Sequence, residues 1–452
     1  MDRRTFHSCL AGLAFGGLAN LVGASTAARV HDGLPSPVPP LQPDPNGIID
    51  LPQGWSYRVI SRLGDKMDDG NVVADSADGM GCISLGGSKV ALVRNHELSA
   101  LEGSKGAFRD RPVEQAYDRM DGGGALPGGT STIIYDLRKQ EVEAQFASLA
   151  GTIRNCAGGT TPWGSWLTCE EDVSLAGGSL GKDHGWVFEV PASAKGLVAP
   201  VPLKGLGRFN HEAAAVDPRT GIVYLTEDRK DGLLYRFVPD RPGDLAAGGR
   251  LQALALLSVG LTDTRNWSGM NLAPGARARA NWVDLDGVDS VQDDLRLRGH
   301  AKGAALFARA EGIHMGREEL FFACTSGGAA KVGQVFRYRP GPDEGREMAG
   351  GASGWLENFF ESSDPQVFNF GDNLTIAPNG HLIVCEDQYT PIVDNHLRGI
   401  TPEGRAYTFA RCRLQTELAG ACFSPDGSTL FVNLYSPTMT LAISGPGWNA
   451  RT

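Results

Sequence analysis

The chain lacks basic excess: 42 Lys and Arg face 52 Asp and Glu, a formal charge of -10. A polyanion binder normally carries net positive charge, so a nucleic-acid duplex is excluded as a partner. An anionic small molecule is not, because cations held by acidic side chains reverse the sign of a local site. A long hydrophobic run is also missing. The apolar stretch from about Leu10 to Val22 is too short and too rich in Gly and Ala to span a bilayer, and no stable membrane insertion is expected. With 60 Gly and 26 Pro turns abound, yet no Gly-X-Y period or Pro-rich tract points to collagen or a disordered linker. Eight cysteines without a paired CxxC signature exclude a disulfide-stapled small fold and a zinc ribbon. No serine has the setting of a nucleophile elbow. The acidic string Asp284, Asp286, Asp289, Asp293 and Asp294 lacks EF-hand spacing and reads as an insertion surface. Helical pattern is thin, and Gln292 to Arg309 is its main ambiguous stretch.

What is present begins with Arg3-Arg4-Thr5-Phe6, an apolar run and small residues around Ala24 to Ala28. Residues 1–28 therefore read as a secretory signal whose arginine pair resembles a twin-arginine signal, which predicts a periplasmic or secreted protein exported folded. Residues 29–50, with Pro35, Pro37, Pro39, Pro40, Pro43 and Pro45, read as an extended lead-in, and 51–452 as a single β-propeller domain. From there one hairpin pattern repeats. Apolar strands end in Asn95-His96-Glu97, Cys169-Glu170-Glu171, Glu227-Asp228, Cys324-Thr325, Cys385-Glu386-Asp387 and Asn433, each followed by a returning strand. Six such hairpins predict an all-β chain forming a six-bladed β-propeller with inserted loops, residues 241–300 being the largest insertion.

Hairpin geometry turns this pattern into a site. In His211-Glu212-Ala213 and the strand ending at Glu227-Asp228, the start of the first strand and the end of the second share one end of the hairpin. Asp372-Asn373 meets Cys385-Glu386-Asp387 in the same way, and Arg309-Ala310-Glu311 meets Cys324-Thr325. Acids from every hairpin would then converge at the mouth of a central channel. Hard carboxylates suit calcium, whereas a thiolate among them suits iron. Cys169 is the thiol expected there, Cys385 being read as a core residue. The pool of acidic ligands is Glu97, Glu170, Glu171, Glu212, Asp228, Glu311, Asp372, Glu386 and Asp387. His211 is read equally as an orienting residue and as packing, and Trp163 and Trp166 as wedges that fix the Cys169 turn. Arg309 and Glu311, one residue apart in an extended segment, point the same way.

The runs Gly159-Thr160-Thr161-Pro162-Trp163-Gly164-Ser165-Trp166-Leu167-Thr168-Cys169-Glu170-Glu171, Arg208-Phe209-Asn210-His211-Glu212, Asp372-Asn373-Leu374 and Cys422 to Gly427 with Leu430 to Asn433 resemble the PhoX family of bacterial alkaline phosphatases. The resemblance covers roughly residues 45–450. It implies a propeller exported by the twin-arginine machinery that hydrolyses phosphate monoesters with Fe(III) and Ca²⁺. It likewise implies Cys169 as the iron-bound cysteine, Glu212 and Glu311 as metal ligands, Arg309 as the arginine on the substrate phosphate, and Asp372, Glu386 and Asp387 as further carboxylates. The last module departs from the family pattern, reading Asn433-Leu434-Tyr435 where Gln usually follows Asn and one apolar residue. A small-molecule phosphate ester is the expected partner and a monomer the expected state. The competing expectations are a calcium-dependent propeller lactonase or phosphotriesterase, and a non-catalytic calcium-stabilised binding propeller.

Overall fold

The computed structural model describes residues 35–448 apart from 109–110, 121, 259 and 347–353. The signal expected over 1–28 and the first residues of the lead-in lie outside the described residues. The rest of the lead-in is mostly irregular and carries two short strands. Leu41–Gln42 pairs with Ile49–Pro52, and Ile49–Pro52 adds to Ala406–Cys412.

Among the described residues the strands form five hydrogen-bonded sheets, of 6, 3, 9, 4 and 4 strands. This overturns the expectation of a six-bladed β-propeller with inserted loops, since the strands are distributed over five unequal sheets and not six blades. The nine-stranded sheet exists because the stretch read as an insertion holds two strands, Gly249–Leu256, buried over its last six residues, and Arg277–Asp284, which alternates between buried and exposed. Arg277–Asp284 then pairs with Gly354–Glu361, fusing two hairpin stacks edge to edge. The ambiguous stretch contributes one short helix, Leu295–Ala301, which packs Leu295 and Gly299 inward.

Sheet ends meet around one axis. Ala77–Gly86, Asn155–Thr160, His211–Val216, Ala310–Met315, Gly371–Ile376 and Leu418–Phe423 each terminate a sheet and neighbour the next in a closed ring. We call these the inner strands. Ser56–Arg62, from early in the chain, pairs with Met439–Ser444 near its end and completes the last sheet. Apolar side chains fill the gaps between sheets. One gap holds Leu167, Val187, Ala214, Val216, Val223 and Leu225, all buried.

The axis is narrow, so small residues surround it. A cavity of about 230 Å³ runs there, lined in part by Gly79, Ala157, Ala213, Gly312, Asn373 and Gly420. At Gly420, whose φ is +60°, a Cβ would lie 2.4 Å from the Asp78 carbonyl oxygen, so no larger residue fits.

Candidate metal centre

A device of up to three parts shapes the start of the inner strands. Its first part is a register shift just inside the strand: between His211 and Ala214, Ala310 and Ile313, Asn155 and Gly158, Gly371 and Leu374, Ala77 and Met80, and Ala419 and Cys422. A bulge re-aims the extra residue. Here those residues include Asp78, Cys156, Glu212, Glu311 and Asp372, with Gly420 in the last strand.

The second part is the residue just before the strand. Ser76, Arg154, Arg309 and Phe370 hold φ of 55°, 44°, 54° and 53°, the left-handed region that non-glycine residues seldom occupy. The third part is a latch. Its donors are the backbone N–H groups just beyond the second strands: Glu97 donates to Ser76 O (2.8 Å), Glu171 to Arg154 O (2.8 Å), Thr325 to Arg309 O (3.0 Å), Asp387 to Phe370 O (2.9 Å) and Tyr435 to Glu417 O (3.1 Å). The latch sets Glu97, Glu171 and Asp387 over the bulged residues, and Asp228 occupies the equivalent place in its hairpin.

Bulged and latched side chains therefore converge. The ligand atoms of Asp78, Glu97 and Cys156 lie within 4.8 Å of one another, as do those of Cys156, Glu171 and Glu212, of Glu212, Glu311 and Asp372, and of Asp372, Asp387 and Glu417. The groups share Cys156, Glu212 and Asp372, so they form one continuous buried arc. The Cys156 thiol donates to Asp78 Oδ2 and Glu212 Oε1, both at 3.3 Å. Glu212 Oε2 is buried without a hydrogen-bond partner, a costly state that a cation would relieve.

Electrostatics point the same way. Burial, then the neighbouring Glu311 and Asp372, push the Glu212 carboxyl far above its usual range, and burial with Asp228 does the same to Glu311. Asp372 is pushed up to about 7 by burial and by Asp387. Burial pushes up the Cys156 thiol too, with Asp78 and Glu212 adding to it. So many desolvated acids are tolerable only with protons or cations among them, and cation binding inverts each of these shifts. The donor set, one thiol among carboxylates, fits iron with calcium.

Arg309 sits at the edge of the arc. Its Nε and Nη2 donate to the two Asp228 oxygens at 2.8 Å each, and Nη2 also meets Glu311 Oε1 at 2.8 Å and Tyr389 Oη at 3.3 Å. Burial raises the Asp228 carboxyl, but this guanidinium more than offsets it and holds the group low.

The structure thus brings together Glu97, Glu171, Glu212, Asp228, Glu311, Asp372, Asp387 and Arg309. It separates three expected ligands from them. Cys169 lies among apolar residues between two sheets, beside Leu167 and Val187, and burial alone raises its thiol pKa. Glu170 is consumed by protein partners: His184 Nδ1 at 2.7 Å and the N–H groups of Ile153, Gly185 and Trp186. Glu386 accepts from Arg398 Nε at 2.7 Å, from Asn369 N at 2.8 Å and from His396 Nδ1 at 2.9 Å. Sequence reasoning missed Asp78, Cys156, Glu417 and Arg154. A usable signal existed, since Ala77-Asp78-Gly79 and Asn155-Cys156-Ala157 follow the pattern of His211-Glu212-Ala213, a ligand second in its strand and a small residue after it.

The family model described as alkaline phosphatase PhoX matches residues 36–140 and 133–438. The chain belongs to the PhoX family. Among solved structures, PhoX of Pseudomonas fluorescens in complex with vanadate, a transition state analogue, is similar in fold at a TM-score of 0.65 and 18% identity, covering 88% of this chain and 96% of that one. A gluconolactonase of Xanthomonas campestris aligns at a TM-score of 0.41 and 13% identity over 91% of this chain and 99% of that one. No curated relative matched the sequence. Membership of PhoX makes the chain a phosphatase-type hydrolase.

Proposed function

We propose that the protein is an exported phosphomonoesterase, acting in the periplasm or outside the cell, whose Fe(III) and Ca²⁺ ions are held by the buried arc. The observation that carries this reading is the set of overlapping ligand groups joining Cys156 to seven acidic residues, Asp78, Glu97, Glu171, Glu212, Glu311, Asp372 and Asp387, with Glu417 closing the arc. Cys156 takes the iron-ligand role expected of Cys169. Asp228 serves as the counter-ion that aims Arg309 rather than as a ligand of the arc.

Bound cations would supply Lewis acidity and charge neutralisation for the phosphoryl group. The chain's own part is positioning. Asp228 fixes two nitrogens of Arg309, leaving the guanidinium edge at the mouth to take a phosphoryl oxygen in a charge-assisted bond. Tyr389 lies against the face of that guanidinium, with 5.4 Å between Arg309 Cζ and the ring centroid. The bulges keep the acids rigid, and a prearranged charged pocket needs no reorganisation as charge moves. A calcium-only lactonase or phosphotriesterase gives no account of the buried thiol in the arc.

The test is metal analysis of exported, folded protein combined with hydrolysis of an aryl phosphate before and after chelation. The expected result is iron and calcium in the protein, a visible thiolate-to-iron absorption, and activity lost on chelation and regained on adding both metals. Protein reconstituted with both metals that neither retains iron nor hydrolyses the ester overturns the reading.

A further inference from the structure

Arg154 repeats Arg309 in its place before an inner strand, in its backbone and in the acids it spans. Each immediately precedes an inner strand, each has a left-handed backbone, with φ of 44° and 54°, and each carbonyl accepts the latch N–H of its own hairpin. Each spans two acids of the site. Arg154 Nη2 meets Glu97 Oε1 at 2.6 Å and also Glu171 Oε2, as Arg309 meets Asp228 and Glu311. Their side chains are similarly open, at 24% and 25% of full exposure. Four other arginines are buried outright and serve the fold: Arg94 and Arg208 bind hydroxyls and backbone carbonyls, and Arg236 and Arg398 pair with Glu344 and Glu386.

Between the two arginines runs one bonded row. Asn210, at the same position in the intervening hairpin, donates through Nδ2 to Glu171 Oε1 (2.9 Å) and to the Asp228 carbonyl (3.2 Å). Arg154 thus approaches the row at Glu171 from one end and Arg309 approaches it at Asp228 from the other.

We propose that Arg154 is a second phosphate-binding arginine, so that the substrate's phosphoryl oxygens are taken between two guanidiniums at opposite ends of the Glu171–Asn210–Asp228 row. The proposal rests on the phosphatase reading above. Guanidinium forks suit planar, multidentate recognition of phosphate, which the ammonium of lysine cannot reproduce. A substrate lacking a dianionic phosphoryl group would engage only one of the two.

The test uses metal-loaded full-length protein and inorganic phosphate as the probe, with affinity read by calorimetry and metal content measured on the same samples. R154G is the informative variant, because glycine keeps the left-handed backbone and its latch while removing the side chain. R154K keeps the charge without the fork, and R309G is the reference. The expected result is phosphate affinity about tenfold or more weaker in R154G, comparable to R309G, with R154K intermediate, and with metal content and Tm unchanged. Wild-type-like affinity in R154G while R309G is impaired overturns this proposal and leaves the phosphatase reading standing. Loss of metal in step with phosphate affinity in R154G overturns it in favour of a structural role for Arg154. Absence of phosphate binding by the loaded wild type removes both readings together.

Discussion

Two sets of buried acids, one residue apart in sequence, have opposite fates. Glu170, Glu227 and Glu386 end their strands and turn toward their own sheets. There they meet His184, Tyr235 and Arg296, and Arg398 with His396. Glu171, Asp228 and Asp387 come next and turn toward the axis, where their neighbours include other carboxylates. Chain direction at a strand end, not residue type, separates a structural carboxylate from a candidate ligand. The inner set lies beside the crowded acids of the arc and draws on Arg309 and Arg154, whereas two members of the outer set, Glu170 and Glu386, are satisfied within their own sheets.

Removing an outer acid should break that contrast most severely. E386Q leaves the Arg398 guanidinium, itself buried, without its anion, and loss of one partner of such a pair costs about 3–5 kcal/mol. Denaturant unfolding should show this, with metal content per folded molecule unchanged. The two cysteines come next. C156S should lose iron and at least about 100-fold of activity, beyond the effect ordinarily seen when residues behind a metal ligand are altered. C169S should keep its metals and lose roughly 1–3 kcal/mol of stability, because its hydroxyl enters an apolar gap. The reverse result, with C169S colourless and C156S coloured, would restore the assignment drawn from sequence.

The bulged acids of the arc and Glu386 respond oppositely to pH. Folding raises the carboxyl pKa of Glu212, Glu311 and Asp372, the last to about 7, so the folded metal-free protein retains protons that the unfolded chain releases from about pH 4 upward. Stability of the chelated protein should therefore fall, by roughly 2 kcal/mol or more, as pH rises from 4 through 7. Glu227, raised to about 7 by burial, adds to that slope. Glu386 is different: burial raises it, but Arg398 and His396 hold it below its usual value, so its contribution is present above about pH 4 and is lost on acidification below. Thermal melts with and without calcium test this, since cations should flatten the slope above pH 4 and leave the acid limb alone. The smallest effect concerns Tyr389. Y389F removes one hydroxyl beside Arg309, and a loss of about 1 kcal/mol should appear as a several-fold rise in KM with kcat nearly unchanged.

The site was partly legible beforehand because hairpin geometry is local. Knowing that His211 opposes Glu227, and Gly371 opposes Glu386, is enough to send Glu212 and Asp372 to one mouth. What failed was the face of individual side chains at strand ends. Cys169 shares a motif with two acids, but it lies within its strand opposite Val187, where the pleat sends it between sheets. Cys156 owes its place to a bulge, and nothing in Asn155-Cys156-Ala157 alone announces a register shift. Sheet boundaries failed for a related reason. The pairing of Arg277–Asp284 with Gly354–Glu361 joins segments on either side of another complete hairpin, and only the assembled structure reveals it.

The pairing of Ser56–Arg62 with Met439–Ser444 sets a timetable. The two strands can clasp only once Met439–Ser444 has left the ribosome, so Asp78 and Glu97 join Asp387 and Glu417 in a closed arc only after the whole intervening stretch has been made. Any cation held by the whole arc would consequently be taken up after translation of these segments and not during it.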